Sequence, residues 1–290
     1  MRTASSSAED GGGAALRPTR RGRVDLAFAD VGGRTVLARQ FAAYPFHLTR
    51  PFHFGDSGRG MATLYLQSAS GGLYRGDDLA MTIDVEPGAA AEITTQSSTV
   101  VHDAYGDIAR LRQEATVGAD GFLALWPDPV ILLPGAMLRQ SIEVTLAAGA
   151  SALVAESWLG HDPLGQGRPF GILESSTVVR TASSRAPLVA ERQLIRGADW
   201  RLALGGEAGW TAAGNVFVLG ALGQSLAADA VVAALALPDV AAGASALPNG
   251  AGLGVRLLAC DGVALTAGLK AIWRVAFVAA SGSDPLPRRK

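Results

Sequence analysis

Three carboxylates sit on stretches that would hold a side chain still. Asp77 follows a glycine-dense run, Gly71-Gly72-Leu73-Tyr74-Arg75-Gly76, which requires unusual backbone angles or close approach of another backbone. Asp128 lies between Pro127 and Pro129, whose rings fix its direction. Glu156 interrupts an apolar strand pattern from Ser151 to Leu159, where a carboxylate needs a partner or water. Brought together, such groups could act as the acid pair of a glycoside hydrolase. Held apart, Asp77 is a turn residue accepting backbone hydrogen bonds, or a rigid carboxylate at a partner surface or an internal path. The histidines offer less. In His102-Asp103 the neighbours along a strand point to opposite faces, so they are not a triad's pair, and His161-Asp162 repeats the pairing in a glycine-rich loop. His47 and His53 could share a metal, but no cysteine or carboxylate beside them completes a site, which favours a solvated loop. No Gly-x-Ser-x-Gly elbow or His-Glu-x-x-His pair is present, which removes two common hydrolytic designs. The glycine run lacks the Lys-Ser/Thr of a phosphate loop and leads into a strand.

The totals narrow the field further. The 290 residues are 49% hydrophobic, enough for one large β domain or two smaller ones. Basic and acidic residues, 25 against 26, leave no cationic excess for nucleic acid. The single cysteine, Cys260, excludes a disulfide within the chain, suits the cytoplasm, and reads as a small buried hydrophobe. The uncharged run from Ala208 to Ala228 is broken by four glycines, so it makes a poor membrane span. Residues 1–23 lack an apolar signal core and read as a disordered tail, as do 281–290. Between them, 24–280 reads as a single β-rich scaffold domain.

The elements that must carry these side chains repeat. Turns at Pro87-Gly88-Ala89, Gly118-Ala119 and Gly149-Ala150 recur about every thirty residues, a period typical of stacked units. Leu111-Arg112-Gln113 and Leu138-Arg139-Gln140 each open a strand pattern. Units that cannot bury their apolar face alone must stack. The expected fold is mainly β: layered antiparallel hairpins, β-helix-like or sandwich-like, with about two helices in the last third. The hairpins would join 79–85 to 92–95, 107–117 to 122–126 and 138–146 to 151–159. Apolar spacing predicts helices over Gln224–Leu237 and Leu265–Phe277, with a loop from Ala241 to Gly252 between them.

With these motifs in order, the chain resembles the urease accessory protein UreD (UreH) family. The resemblance rests on Gly71-Gly72, Gly76-Asp77-Asp78-Leu79, Thr94-Thr95-Gln96, Leu125-Trp126-Pro127-Asp128-Pro129-Val130, Glu156 ahead of Gly167-Arg168, Val255-Arg256-Leu257-Leu258 and Ile272-Trp273. The set runs from about Val24 to Phe277. Val100 stands where the family often has Lys, Asp128-Pro129 replaces a Gln-Glu, and no Gly-Glu follows Gly167-Arg168. The resemblance implies a scaffold without catalysis or a stably bound cofactor. Such a scaffold binds urease apoprotein and works with a UreF-type helical partner and a UreG-type GTPase to load nickel. It makes Asp77, His102, Asp128 and Glu156 candidates for weak nickel contacts in transit, because a path that bound tightly would not release the ion.

Overall fold

The repeating turns divide the chain into strand pairs that alternate between two sheets. The computed structural model describes residues 20–54, 60–184, 186–204 and 209–286. Its strands are β1 (Arg21–Val31), β2 (Arg34–Ala42), β3 (Phe46–Leu48), β4 (Ala62–Ser68), β5 (Asp78–Val85), β6 (Ala90–Thr95), β7 (Thr99–Val101), β8 (Ala109–Val117), β9 (Phe122–Leu125), β10 (Val130–Leu132), β11 (Met137–Leu146), β12 (Ser151–Gly160), β13 (Ile172–Thr181) and β14 (Pro187–Arg196). There follow α1 (Gly197–Ala203), β15 (Ala212–Gly220), α2 (Ala221–Ser225), α3 (Ala228–Ala234), β16 (Val240–Ala246), β17 (Gly252–Ala259) and α4 (Gly262–Ser281). One sheet has the order β14-β13-β11-β8-β5-β1-β2. The other has the order β16-β17-β15-β12-β9-β6-β4-β3, with β7 and β10 attached beside β12.

The chain is mainly β and its units stack, as expected, but the stacked strands run parallel. β1, β5, β8, β11 and β13 pair in parallel, as do β4, β6, β9 and β12. Antiparallel pairs occur at the ends, such as β1–β2 and β15–β17. The expected hairpins are therefore arches. β5 and β6 lie in opposite sheets, and so do β8 and β9, and β11 and β12. Period-two alternation cannot separate the two cases, because each strand presents one apolar face either way.

The turns show why the repeat works. Glu86–Ala89, Gly118–Gly121 and Ala147–Ala150 each close with a bond from the fourth N–H to the first carbonyl. Their third residues, Gly88, Asp120 and Gly149, have φ of 74°, 56° and 70°, the left-handed position of a type II turn. Turn bonds to turn as well: Gly88 N–H donates to Ala119 O at 2.9 Å, and Asp120 N–H to Ala148 O at 3.1 Å. The middle copy is thus keyed by Asp120 rather than Gly118, since Asp tolerates this backbone better than most side chains.

Between the sheets the core is dry near the turns and polar farther away. Two rows across the first sheet are apolar: Phe28–Val85–Val117–Leu146 and Leu26–Ile83–Ala115–Val144–Val179. Ala91, Ile93, Leu123, Leu125, Ala152 and Val154 face them from the second sheet. The next two rows carry Gln113 and Thr177, then Gln140 and Ser175. The outer face of the first sheet is solvated and ion-paired, as in Arg112–Asp78 at 2.6 Å and Arg180–Glu143 at 3.0 Å. The outer face of the second sheet is covered by helices over β15 and β17, and Phe52 lies against Tyr65 of β4.

The expected helix over Gln224–Leu237 is two short ones, α2 and α3, split where Leu226 is extended. The terminal helix is longer than expected. Asp261 caps it by accepting the Ala264 N–H at 2.8 Å, and Gly282 ends it at φ 73°. By length and composition α4 could cross a membrane, yet Leu265, Leu269, Ile272, Trp273 and Ala276 are buried in the cluster that joins it to the second sheet. The expected loop over Ala241–Gly252 contains β16, whose small residues have no strand signature and are ordered by pairing with β17. Helix α1 has no counterpart among the expectations. Residues 21–23, assigned to the tail, begin β1, and Arg20 directly precedes it; 1–19 and 287–290 lie outside the described residues. Cys260 is half-buried.

This layout predicts where stability resides. Leu123→Ala, at a side chain with no exposure, should lower the free energy of unfolding in urea by about 2–5 kcal/mol. Arg112→Ala should change it by less than about 1 kcal/mol. Equal effects would show that the interlayer rows are not the core.

Candidate functional site

The second sheet has a gap, and the gap lines a cavity. β9 pairs with β6 only as far as Ile93↔Leu125 and with β12 only as far as Val154↔Leu125. Beyond Leu125 the chain runs Trp126-Pro127-Asp128-Pro129, and neither proline can donate to a ladder. Pairing on this side of β12 resumes with β10, at Val130↔Trp158. Thr94 and Thr95 on one side and Ala155, Glu156 and Ser157 on the other are left without a strand between them. A cavity of about 330 Å³ occupies the place. Its walls include Gly71, Gly72, Gln96, Gln113, Pro127, Asp128, Gln140 and Glu156, with apolar residues such as Ile142.

Glu156 follows Ala152 and Val154 in pointing between the sheets. It is 6% exposed. Its Oε2 accepts from Ser175 Oγ at 2.9 Å, and its Oε1 accepts from Thr177 Oγ1. Gln140 Nε2 donates to Ser175 Oγ at 3.2 Å, so the serine proton is free to point at the carboxylate. No cation among the described residues pairs with Glu156. Burial pushes its pKa above the usual carboxylate value, Glu191 adds to this, and the two hydroxyls oppose it. Asp128 shares the wall. Its backbone N–H donates to Thr95 Oγ1 at 2.8 Å, which ties the Pro-Asp-Pro segment to β6. Thr94 and Ser157 belong to the same wall by their backbone positions, and their hydroxyls are buried without a protein partner. Such groups need water or a polar guest.

The other candidates lie elsewhere. Asp77 is buried outside the cavity wall, accepting from Arg20 Nε at 3.0 Å and from the Tyr74 N–H at 2.8 Å. It is a turn and ion-pair residue, and Gly76 (φ 69°) makes the turn. His102 is near the wall but committed: its Nε2 lies 3.0 Å from Gly71 O, a carbonyl that can only accept. Gly71 and Gly72 are wall themselves. A Cβ on Gly72 (φ 130°) would stand 2.1 Å from Val100 O, so the close approach expected of the glycine run is real here. Gly167 and Arg168 build a loop about Asp162, whose carboxylate takes the Leu164, Gln166 and Arg168 N–H groups and the Arg168 guanidinium. Those donors hold Asp162 far below the usual carboxylate range. Trp126 points to the opposite side, its ring 5.4 Å from that of Trp273 on α4. His47 bonds Gln67 and His53 bonds Thr35 O, so they do not form a metal pair. Among the described residues no group of three or more His, Cys, Asp or Glu could hold a metal.

Asp128 and Glu156 thus share one cavity, and Thr95, Gln96 and Pro127 share it with them. A glycosidase would present such a pair across a cleft open to a sugar chain, whereas Glu156 is enclosed between sheets. Gln113, Gln140, Ser175 and Thr177 were not among the candidates. The two glutamines close the Leu-Arg-Gln repeat, so the signal was present as a polar residue at core parity. Ser175 and Thr177 look like ordinary strand residues, and only their register with Gln140 and Ile142 reveals them. Glu92, buried and bonded by Thr63 Oγ1 at 2.9 Å, was missed as well.

The family model described as UreD urease accessory protein matches residues 20–290. A protein of Methylorubrum populi named Urease accessory protein UreD 1 is 47% identical over 272 residues, 93% of this chain and 92% of its own length. One of Methylorubrum extorquens with the same name is 46% identical, covering 93% and 92%. One of a Bradyrhizobium species, again of that name, is 38% identical, covering 91% and 93%.

The raised pKa of Glu156 has a sign that can be measured. Below its ordinary value of 4.5, folded and unfolded chains both hold the proton. As pH rises from there towards the folded value, only the unfolded chain releases it, so stability falls. Glu156→Gln has no proton to lose. In urea titrations at a series of pH values, wild type should lose stability relative to Glu156→Gln as pH rises above 4.5. A gap that widens in favour of wild type would mean that the buried carboxylate is held as a stabilised anion.

Proposed function

Because the chain belongs to the family of UreD urease accessory proteins, we propose that it serves urease maturation by giving nickel a path through the cavity between its sheets. In this reading it turns over no substrate. It binds urease apoprotein and acts with a UreF-type helical partner and a UreG-type GTPase, in the cytoplasm, where a lone thiol without a disulfide is the norm.

The observation that carries the reading is the chemistry of the cavity wall. It offers two single carboxylates, Asp128 and Glu156, among hydroxyl and amide oxygens and, among the described residues, no thiol or imidazole. Nickel accepts oxygen ligands but prefers nitrogen-rich or sulfur-rich sites when it is to be kept. A wall of separated oxygen donors therefore suits a cargo that must leave again. Asp77 and His102 fall outside this path, one neutralised by Arg20 and the other bonded to Gly71 O.

The test is made in cells expressing the urease genes together with this chain. Replacing it by Asp128→Asn/Glu156→Gln should lower the nickel content of purified urease several-fold while the variant still co-purifies with the apoprotein. Full nickel loading with the double variant, or in cells lacking the chain, would overturn the proposal.

A further inference from the structure

The Val255-Arg256-Leu257-Leu258 motif contains one charge, Arg256, and register places it near Glu156. In the second sheet Glu156 pairs with Asn215, and Asn215 pairs with Arg256. Asn215 is two residues from Phe217 of the interlayer core, so it faces the same way. In the first sheet Thr177 pairs with Glu191, which is two residues from Val189 of that core. The two rows meet beyond Glu156, where β14 and β16 are the edge strands. Another cavity, of about 340 Å³, lies between them, lined by residues that include Glu191, Asn215, Phe217 and Arg256. Arg256 spans the layer there. Its Nη2 donates to Glu191 Oε1 at 2.8 Å, and Gln193 Nε2 donates to the same oxygen at 2.7 Å.

Thr177 therefore has a carboxylate on either side. Its hydroxyl donates to Glu156, and its partner across the ladder is Glu191. Paired positions on adjacent strands bring Cβ atoms to about 5 Å, close enough for the two charges to act on each other. Burial raises the Glu156 pKa, and Glu191 adds to it. Asp128, on the wall shared with Glu156, is the other carboxylate at this space. Arg256 stands two strands from Glu156, about 10 Å away, and is committed to Glu191. Two neighbouring carboxylates with no cation between them would hold a divalent ion more tightly than one. Such a pair would keep a cargo that must leave. The guanidinium neutralises one member. Its side chain is 69% exposed against 17% for Glu191, so the ion pair adds little to stability while it sets the charge beside Glu156.

We propose that Arg256 is a positioning residue for the cation path: by holding Glu191 it keeps the second carboxylate from joining Glu156, so that a divalent cation meets Glu156 singly and is released. The identity of the cation as nickel rests on the maturation reading above.

Nickel binding by the purified full-length chain, measured by equilibrium dialysis with the metal alone, tests this. Arg256→Gln leaves Glu191 open to the ion and should bind nickel about tenfold more tightly than wild type. Glu191→Gln/Arg256→Gln should return to wild-type affinity. Urea titrations across pH give a second readout, each variant compared with the same chain carrying Glu156→Gln. Without the guanidinium Glu191 is a bare anion, so Glu156 keeps its proton to higher pH and the stability lost above pH 4.5 grows. Glu191→Gln alone removes the anion, and that loss shrinks. A pair that only fastens the sheet edges would give equal destabilisation in both single variants, with nickel affinity and pH profile unchanged. Affinity of Arg256→Gln within twofold of wild type, or no measurable binding by either, would overturn the proposal. So would a double variant as tight as Arg256→Gln. If Asp128→Asn/Glu156→Gln still lowered the nickel content of urease in that event, the maturation reading would stand without this role. Tighter binding by Arg256→Gln together with full loading by Asp128→Asn/Glu156→Gln would uphold the role of Arg256 and overturn the maturation reading.

Discussion

Parallel strands cannot be joined by a tight turn, and that constraint governs this molecule. A strand of the first sheet finds its partners only one coil above and one coil below. The chain must cross to the second sheet and return before it can pair again. Each coil therefore depends on its neighbours for its backbone hydrogen bonds, and the left-handed turns at Gly88, Asp120 and Gly149 keep the coils in step. The antiparallel strands at both ends complete the two sheets where the parallel stacking stops.

A ladder of this kind is sensitive to interruption, and the interruption is where the chemistry lies. Removing two donors at Pro127 and Pro129 takes a strand out of the second sheet over the length of Thr94–Thr95 and Glu156–Ser157. The space is not refilled by apolar side chains. Glutamine and hydroxyl residues from the opposite sheet reach into it instead, so a carboxylate persists in an interior that is otherwise dry. A β-scaffold can thus hold a buried carboxylate beside an internal cavity, by leaving out part of one strand.

Much of this was legible in the residues. The turn repeat announced stacked units, Asp128 was marked by its prolines, and Glu156 by its apolar neighbours. The direction of pairing was not legible, because alternation is the same for a strand in a hairpin and a strand in an arch. The phase of the middle repeat was misjudged, since Asp120 does the work that glycine does in the other two turns. Gln113 and Gln140 were visible as a motif yet not as a wall, because facing across two sheets is a property of register rather than spacing. Asp77 and His102 look functional in one dimension, and in three they are occupied by Arg20 and by Gly71 O. The short helices and β16 escaped notice because alanine-rich segments acquire their shape from what they pack against.

The contact of Trp126 with Trp273 has a mechanical meaning. Trp126 directly precedes the stiff Pro-Asp-Pro segment, and Trp273 lies on a helix of 20 residues whose other side faces outward. Rings in contact limit how far either backbone can shift, and the prolines leave little slack after them. The helical layer thus anchors the start of the segment that carries Asp128.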